Sequence, residues 1–265
     1  MNRIQFLKKV IQEAGEEILN YYKINTGAET KKDDSPLTQA DLASNEILSE
    51  NLAETGYPVL SEEIADDKKR LASDKVWIID PLDGTMDFIQ ETGEFSVMVG
   101  LVENGKPVLG AVYQPASGDL FYAEQNKGAF WENLQLKSRP QKIQVSGVKD
   151  PKNARMVVSR NHLKPQDQEI AEKLQVKEYK KTGSNGVKIC LIAREEADFF
   201  INSGSGMGEW DSCAPEIILR EAGGIVTDIA GERLLYNKDN PINKKGLVAS
   251  NGNFHDRILS IASKQ

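Results

Sequence analysis

Apolar positions at Ile4, Leu7, Val10, Ile11, Ala14, Ile18 and Leu19 recur three and four residues apart, which predicts an amphipathic first helix. A polar loop, TKKDDSPLTQAD, follows. Thr38 and Asp41 then form a T-x-x-D start for a second helix carrying Leu42, Ile47, Leu48 and Leu52. After that the period shortens. YPVLSEE and KVWIID read as short apolar strands that both run into carboxylates. From Phe95 to Trp131 the segments FSVMVGLV, PVLGAVY and LFYAE predict an antiparallel meander, joined by Asn104-Gly105 and by Ser117-Gly118-Asp119. Asn-Gly suits the tight turn of a hairpin because both residues tolerate positive φ.

Residues 132–154 are polar and are expected to hold the passage between two lobes, 1–145 with the antiparallel sheet and 146–265 with an alternating pattern. The second lobe is predicted to run strand RMVVS, helices near 166–175 and 184–195, strand ADFFIN, a helix over 211–222, strands GIVT and GLVAS, and a final helix. An antiparallel sheet with helices followed by a mixed lobe predicts a layered α/β (α+β) fold.

Composition narrows the function classes. A chain of 265 residues can bury a substantial core, and a net charge of −7 gives no basic footprint for a nucleic acid polymer, although a local pocket can still take a nucleotide. The apolar runs fall far short of the ~20 residues that span a bilayer, so no membrane partner is expected. Glu13, Glu16 and Glu17 make the amphipathic start unlike a transit peptide, and it lacks the unbroken apolar core of a signal peptide. Cys190 and Cys213 fall on apolar helical positions and read as buried thiols, which fits a cytoplasmic address.

The chemistry concentrates in WIIDPLDGTMDF, residues 77–88. Pro81 has no amide donor, so the strand ladder is expected to stop there. Gly84 allows a tight turn. If a helix opens near Thr85, the Gly84 and Thr85 amides become helix-end donors for an anion. Asp80, Asp83 and the Leu82 carbonyl can then converge on one point, an all-oxygen, negative set suited to a hard cation such as Mg²⁺. Other acids stand in similar settings. Glu62 and Glu63 leave a strand on opposite faces, or form a solvated turn. Asp211 opens a helix with Pro215 in its first turn, as ligand or as cap. Asp41 either joins them or simply completes the helix start with Thr38. TGSNGVK, residues 182–188, is a Gly-rich turn ending in Lys188, an anion cradle or an ordinary helix entry. Arg160 and His162, in VVSRNH, follow a strand and are candidates to touch phosphate or base, with His162 equally readable as a solvated loop residue; His255 carries no signal of function.

WIIDPLDGTMDF and WDSCAPEIILREAGG (residues 210–224) resemble the two signatures of the inositol monophosphatase superfamily of Mg²⁺-dependent, lithium-sensitive phosphatases. The resemblance extends over nearly the whole chain. DDSPLTQAD, SEE at 61–63, GEFSVMVGLVENGKPVLGAVYQP, VVSRNH and WDSCAPE look most like its 3′(2′),5′-bisphosphate nucleotidase branch. The resemblance implies an αβαβα sandwich. It also implies two Mg²⁺ ions held by Glu62, Asp80, the Leu82 carbonyl, Asp83 and Asp211, with a third, weaker ion within reach of Asp41. Thr85, with Asp41 or Glu62, would orient or deprotonate the attacking water, and the Gly84 and Thr85 amides would bind the scissile phosphate. Ser184, Asn185, Gly186, Lys188, Arg160 and His162 would contact a small phosphate ester, a nucleotide bisphosphate, in a monomer or homodimer. Glu209 departs from the basic residue that animal-type members often carry before the tryptophan.

Three other function classes make different demands on these residues. Haloacid-dehalogenase chemistry needs an aspartate two residues before its general acid, and Leu82 occupies that slot. An inositol monophosphatase or related sugar-phosphate phosphatase would share the metal site and differ only in the distal pocket. A non-catalytic sensor would have lost an acid or Thr85, and none is missing.

Overall fold

A computed structural model describes residues 2–24, 29–30, 36–160, 164–204 and 206–262. Two helices, α1 (Arg3–Tyr21) and α2 (Gln39–Ala53), precede a seven-stranded sheet. Its strands are β1 (Val59–Ser61), β2 (Lys75–Asp83), β3 (Ser96–Glu103), β4 (Lys106–Gln114), β5 (Asp119–Glu124), β6 (Gly128–Asn133) and β7 (Gln141–Ile143). They lie in sequence order, with β1 parallel to β2 and every later neighbour antiparallel. The five-residue helix α3 (Thr85–Ile89) interrupts this sheet after β2.

A second sheet is built from β8 (Arg155–Ser159), β9 (Glu178–Thr182), β10 (Phe199–Asn202), β11 (Ile225–Thr227) and β12 (Leu247–Ser250), in the order β9-β8-β10-β12-β11. β9 and β10 flank β8 in parallel, so the strand ends Thr182, Ser159 and Asn202 point the same way. The helices of this half are α4 (Pro165–Lys173), α5 (Asn185–Ala193), α6 (Cys213–Glu221) and α7 (His255–Ala262).

Alternation along the strands sorts these elements into five layers. On β2, Trp77 and Ile79 pack with Leu7, Ile11, Ile18, Leu48 and Leu52 of α1 and α2. Val76 and Ile78 face the other way, into a core shared with Ile189, Ile192, Ile217 and Ile218 of α5 and α6. That core also takes Val157, Phe200, Leu247 and Ala249 from the inner face of the second sheet. The outer face of that sheet, with Met156, Val158, Phe199 and Ile201, packs on α4 and α7. The result is the expected layered fold, an αβαβα stack in which period-2 strands cover a central helical layer on both sides.

The cross-strand partners Gly100 and Gly110 let α6 lie flat against the first sheet. A Cβ on Gly110 would stand 2.6 Å from Ile217 Cγ2 and 2.8 Å from the Ala214 carbonyl. Cys190 and Cys213 are buried free thiols in this central layer, as expected.

Candidate active site

The first acids of the site are aimed by an irregularity in β2. Its pairing with β3 runs from Lys75↔Glu103 to Asp80↔Met98 and resumes at Asp83↔Ser96, so two residues, Pro81 and Leu82, face one. The sequence reading ends the strand at Pro81; the strand instead continues to Asp83. A bulge leaves an extra residue unpaired, and the missing proline donor costs no ladder bond there. The Pro81 carbonyl accepts from Ser44 Oγ of α2 at 2.8 Å, and the Leu82 amide donates to Asp80 Oδ1 at 3.1 Å. Gly84 follows at φ +93°, a left-handed conformation suited to glycine, and its carbonyl accepts the first helical bond of α3, from the Phe88 amide.

One carboxylate oxygen from each of Asp80, Asp83 and Asp211 lies within 4.8 Å of the others. Asp211 stands two residues before α6, outside the helix that the sequence placed over 211–222; Ser212 takes the cap position. It accepts instead from the Gly208 amide at 2.6 Å and from Asn185 Nδ2 at 3.0 Å. Asp83 accepts from Ser184 Oγ at 2.5 Å and from the Gly186 amide at 2.8 Å. Glu62 leaves β1 with its amide on the Ile79 carbonyl, 3.3 Å away, and lines the same cavity.

The electrostatics are those of crowded, buried acids. Burial holds the Asp80 carboxyl well above its ordinary value, and the charges of Glu62, Asp83 and Asp211 push it further up. Asp211 is pushed up to about 7 by burial and then by Asp83 and Glu62, against the donors Asn185 and Gly208. Lys188, nearly fully buried, is held below its usual value by desolvation, although Asp83, Asp87, Asp211 and Glu94 favour its charge. Its ammonium donates to Asn185 Oδ1 at 3.2 Å and lies 5.3 Å from the Phe200 ring centroid. Converging oxygen donors whose negative charge this single ammonium does not balance fit a hard divalent cation.

Thr85 Oγ1 lies 3.2 Å from both Asp41 Oδ1 and the Leu82 carbonyl. Asp41 is fully buried, and its other oxygen accepts from the Thr38 amide at 2.7 Å and the Thr38 hydroxyl at 2.6 Å. The two readings of Asp41 are therefore compatible: it caps α2 and reaches Thr85 at once.

Glu62, Asp80, Leu82, Asp83, Thr85 and Asp211 line a cavity of about 470 Å³. Gly84, Ser184, Asn185 and Lys188 line it, and Phe200 and Met207 add apolar surface. Ser159, Asn202 and Lys164, at or beside the second sheet, also line it. Arg160 sits at the rim, in a two-bond ion pair with Glu94 (Nε–Oε2 2.9 Å, Nη2–Oε1 2.6 Å). Glu94 also accepts from the Gly183 amide at 2.8 Å, so it ties Arg160 to the turn that serves Asp83. His162 lies outside the described residues. Glu209 is fully buried, accepting from the Asn237 and Lys238 amides, and its departure from the animal-type pattern serves a loop. His255 is a structural bridge between Thr227 and Ser250.

The sequence reading missed Glu94 and Lys164. A carboxylate 66 residues from its arginine leaves no local pattern, whereas a lysine directly before Pro165 does mark a helix opening.

Over residues 2–265 the chain matches the model of the inositol monophosphatase family. It belongs to that family. Within it, the chain is 36% identical over 241 residues to the 3′(2′),5′-bisphosphate nucleotidase CysQ of Aggregatibacter actinomycetemcomitans, covering 89% of this chain and 87% of that protein. It is 33% identical over 235 residues to the protein of the same name from Escherichia coli K12, covering 86% and 91%. Among solved structures, CysQ from Bacteroides thetaiotaomicron, described as a bacterial member of the family, superposes with a TM-score of 0.80 at 33% identity over 93% of this chain and 96% of that one. The Thermotoga maritima IMPase gives a TM-score of 0.83 at 25% identity, with 100% and 98% covered. The αβαβα stack is thus the fold of a family of metal-dependent phosphatases, and the cluster of Asp80, Asp83 and Asp211 could bind a metal ion.

Proposed function

We propose that this protein is a Mg²⁺-dependent phosphomonoesterase that removes the 3′(2′)-phosphate of adenosine 3′(2′),5′-bisphosphate. The observation that carries the proposal is the convergence of Asp80, Asp83 and Asp211 in a cavity large enough for a nucleotide, whose lining also includes Lys164, Lys188 and apolar surface. The nucleotidase relatives support the choice of substrate.

Glu62, Asp80, Asp83, Asp211 and the Leu82 carbonyl would hold the cations, which when bound supply charge neutralisation and Lewis acidity. The protein's own groups do the rest. Asp41 accepts the Thr85 hydroxyl proton, which leaves a lone pair of Thr85 Oγ1 facing the cavity to accept a hydrogen from the attacking water. Because Asp41 is anchored by two donors from Thr38, the Thr85 hydroxyl is held in place before substrate arrives. The amides of Gly84 and Thr85, at the start of α3, receive phosphate oxygens. Ser184 and Gly186 fix Asp83, and Asn185 fixes Asp211 while accepting from Lys188. The turn over residues 183–188 therefore acts first on the carboxylates. Phe200 and Met207 supply apolar surface for the nucleoside.

Phosphate release from adenosine 3′,5′-bisphosphate and from inositol 1-phosphate, measured side by side with and without Mg²⁺, tests the proposal. A Mg²⁺-dependent preference for the nucleotide is expected. Preference for the inositol ester would overturn the substrate while leaving the metal site intact.

A further inference from the structure

Among the described residues, the largest fully buried side chain is a cation, Arg70, in the 3₁₀ turn Lys69–Ala72. This turn lies between β1, which leads into Glu62, and β2, which ends in Asp80 and Asp83. A buried guanidinium is costly unless its donors are met, and here they are. Nε and Nη2 hold the two oxygens of Asp66 at 3.1 and 2.8 Å. Nη1 donates to Asn237 Oδ1 at 2.7 Å, and Nη2 to the Lys238 carbonyl at 2.8 Å. Asn237 answers with Nδ2, which reaches the Arg70 and Ser73 carbonyls at 3.3 and 3.2 Å. The two halves of this knot are 167 residues apart in the chain.

The loop that Arg70 grips has a second task. Asn237 and Lys238 donate their amides to the two oxygens of fully buried Glu209, at 2.7 and 3.1 Å. Tyr236 Oη lies 2.6 Å from Glu216 Oε2 and 3.2 Å from Ser212 Oγ. Glu209 gives its own amide to the Pro241 carbonyl at 2.9 Å, and Met207 and Gly208 pair antiparallel with Asn243 and Ile242. Asp211 is thus bracketed. The loop holds the residue two before it and the residue just after it, and leaves the Asp211 carboxylate itself to Gly208 and Asn185.

We propose that Arg70 is a positioning residue for the metal site: through the 236–238 loop it holds the segment that carries Asp211 against the segment that carries Glu62, and so sets the gap that the cations span. This role rests on the reading of Glu62 and Asp211 as cation ligands. Both carboxylates line one cavity and carry like charge, so in the metal-free protein they push apart. Arg70 is absent from the cavity wall and resists that push from behind it. A two-bond fork fixes direction as well as distance, which apolar packing does not. Ligands held at the right separation before the ion arrives spare it the cost of gathering them.

The test is the Mg²⁺ dissociation constant from calorimetric titration of MgCl₂ into the substrate-free protein, with KM for adenosine 3′,5′-bisphosphate measured beside it. Arg70→Met keeps the bulk and removes the donors. Asn237→Gly accepts the φ of +60° at this position, keeps the amide on Glu209 and removes the side-chain bonds to the Arg70 turn. Arg155→Met is the comparison, because it strips a guanidinium from buried Asp198, and neither residue lines the cavity. At a temperature where circular dichroism shows each protein folded, Arg70→Met and Asn237→Gly are expected to bind Mg²⁺ roughly tenfold more weakly, the equivalent of one net hydrogen bond. KM at saturating Mg²⁺ should stay close to wild type, and Arg155→Met should lose Tm while keeping its Mg²⁺ affinity. Wild-type affinity in the folded Arg70 and Asn237 variants, or an equal loss in Arg155→Met, overturns the role and leaves Arg70 as a seal of the fold. Should Arg70→Met fail to fold, Asn237→Gly decides alone. A wild-type protein that binds no Mg²⁺ would sink the metal-site reading and this role with it, whereas one that prefers another ester would leave the Arg70 result standing.

Discussion

Replacing Asp211 by asparagine removes one negative charge from the acid cluster while nearly preserving shape. In the metal-free protein the carboxyl is held at about 7 instead of 3.8, so ionising it above neutral pH works against folding. Three pH units at ~1.4 kcal/mol each give about 4 kcal/mol. Asp211 is only partly buried, and solvent screening of its exposed part reduces this to about 2 kcal/mol. Asparagine presents one acceptor where Asp211 uses two, on Asn185 Nδ2 and the Gly208 amide; losing one bond costs about 1 kcal/mol. The metal-free variant should therefore be stabler than wild type by about 1 kcal/mol at pH 8, or a Tm gain of about 2–4 °C for a chain near this size. With Mg²⁺ the order reverses. At a hundredfold excess over Kd the wild-type protein gains about 2.7 kcal/mol, whereas a variant whose Kd has risen a hundredfold gains about 0.4 kcal/mol. Thermal unfolding of both proteins at pH 8, in chelator and in a Mg²⁺ series, should give curves that cross. A variant less stable than wild type in chelator, or equally stabilised by Mg²⁺, would refute the reading of Asp211 as a charge-crowded metal ligand.

Further outcomes follow from other groups. Thr85→Ala should lower kcat about 10²- to 10⁴-fold, the range for losing a positioned proton acceptor, yet keep the Mg²⁺-dependent rise in Tm, since no carboxylate is removed; loss of that rise would move Thr85 from water positioning to metal binding. His255 is buried between Thr227 and Ser250 and held below its usual value by desolvation. A depressed folded-state value means the unfolded chain takes up the proton first, so His255 supports stability above about pH 6.5 and that support is lost as pH falls toward the folded value, with a slope of up to ~1.4 kcal/mol per pH unit. Urea unfolding of His255→Gln should show a flatter pH dependence below 6.5, and an unchanged dependence would exclude His255 as its source. Glu209→Lys buries an unpaired cation and abandons two amides, so it should cost about 3–5 kcal/mol by the same denaturation measurement; a neutral result would mean the 236–238 loop does not need that carboxylate. Gly110→Ala pushes a methyl group toward Ile217 and the Ala214 carbonyl and should lower stability by about 1–3 kcal/mol, with α6 displaced in a crystal structure.

The parts of the fold legible in the sequence were those with a strong period. β8 runs over the RMVVS segment, and the meander from Ser96 to Glu124 follows its alternation and its Asn-Gly turn. β9 was invisible because EYKKT lies at a sheet edge, with little burial to impose a pattern. Pro81 misled because a proline normally ends a ladder, and only the bulge opposite Val97 makes it harmless. In the site, the acids announced themselves by leaving strands beside glycine and proline. Their donors did not. The bonds from Ser184 and Gly186 to Asp83 and the Arg160–Glu94 pair join residues 66 to 103 positions apart, and such pairings are set by how layers stack.

The central helical layer has a consequence for the order in which the protein can become active during synthesis. Asp80 and Asp83 leave the ribosome early, but the donors that fix Asp83 come at 184 and 186, and the last carboxylate arrives at Asp211 of 265 residues. A nascent chain or a truncated product ending before α6 therefore carries the family's first signature without a site to use it. Metal-dependent hydrolysis has to wait until residue 211 has been made and α6 has packed, so activity in a cell extract counts chains that have passed that point and not chains that have only been initiated.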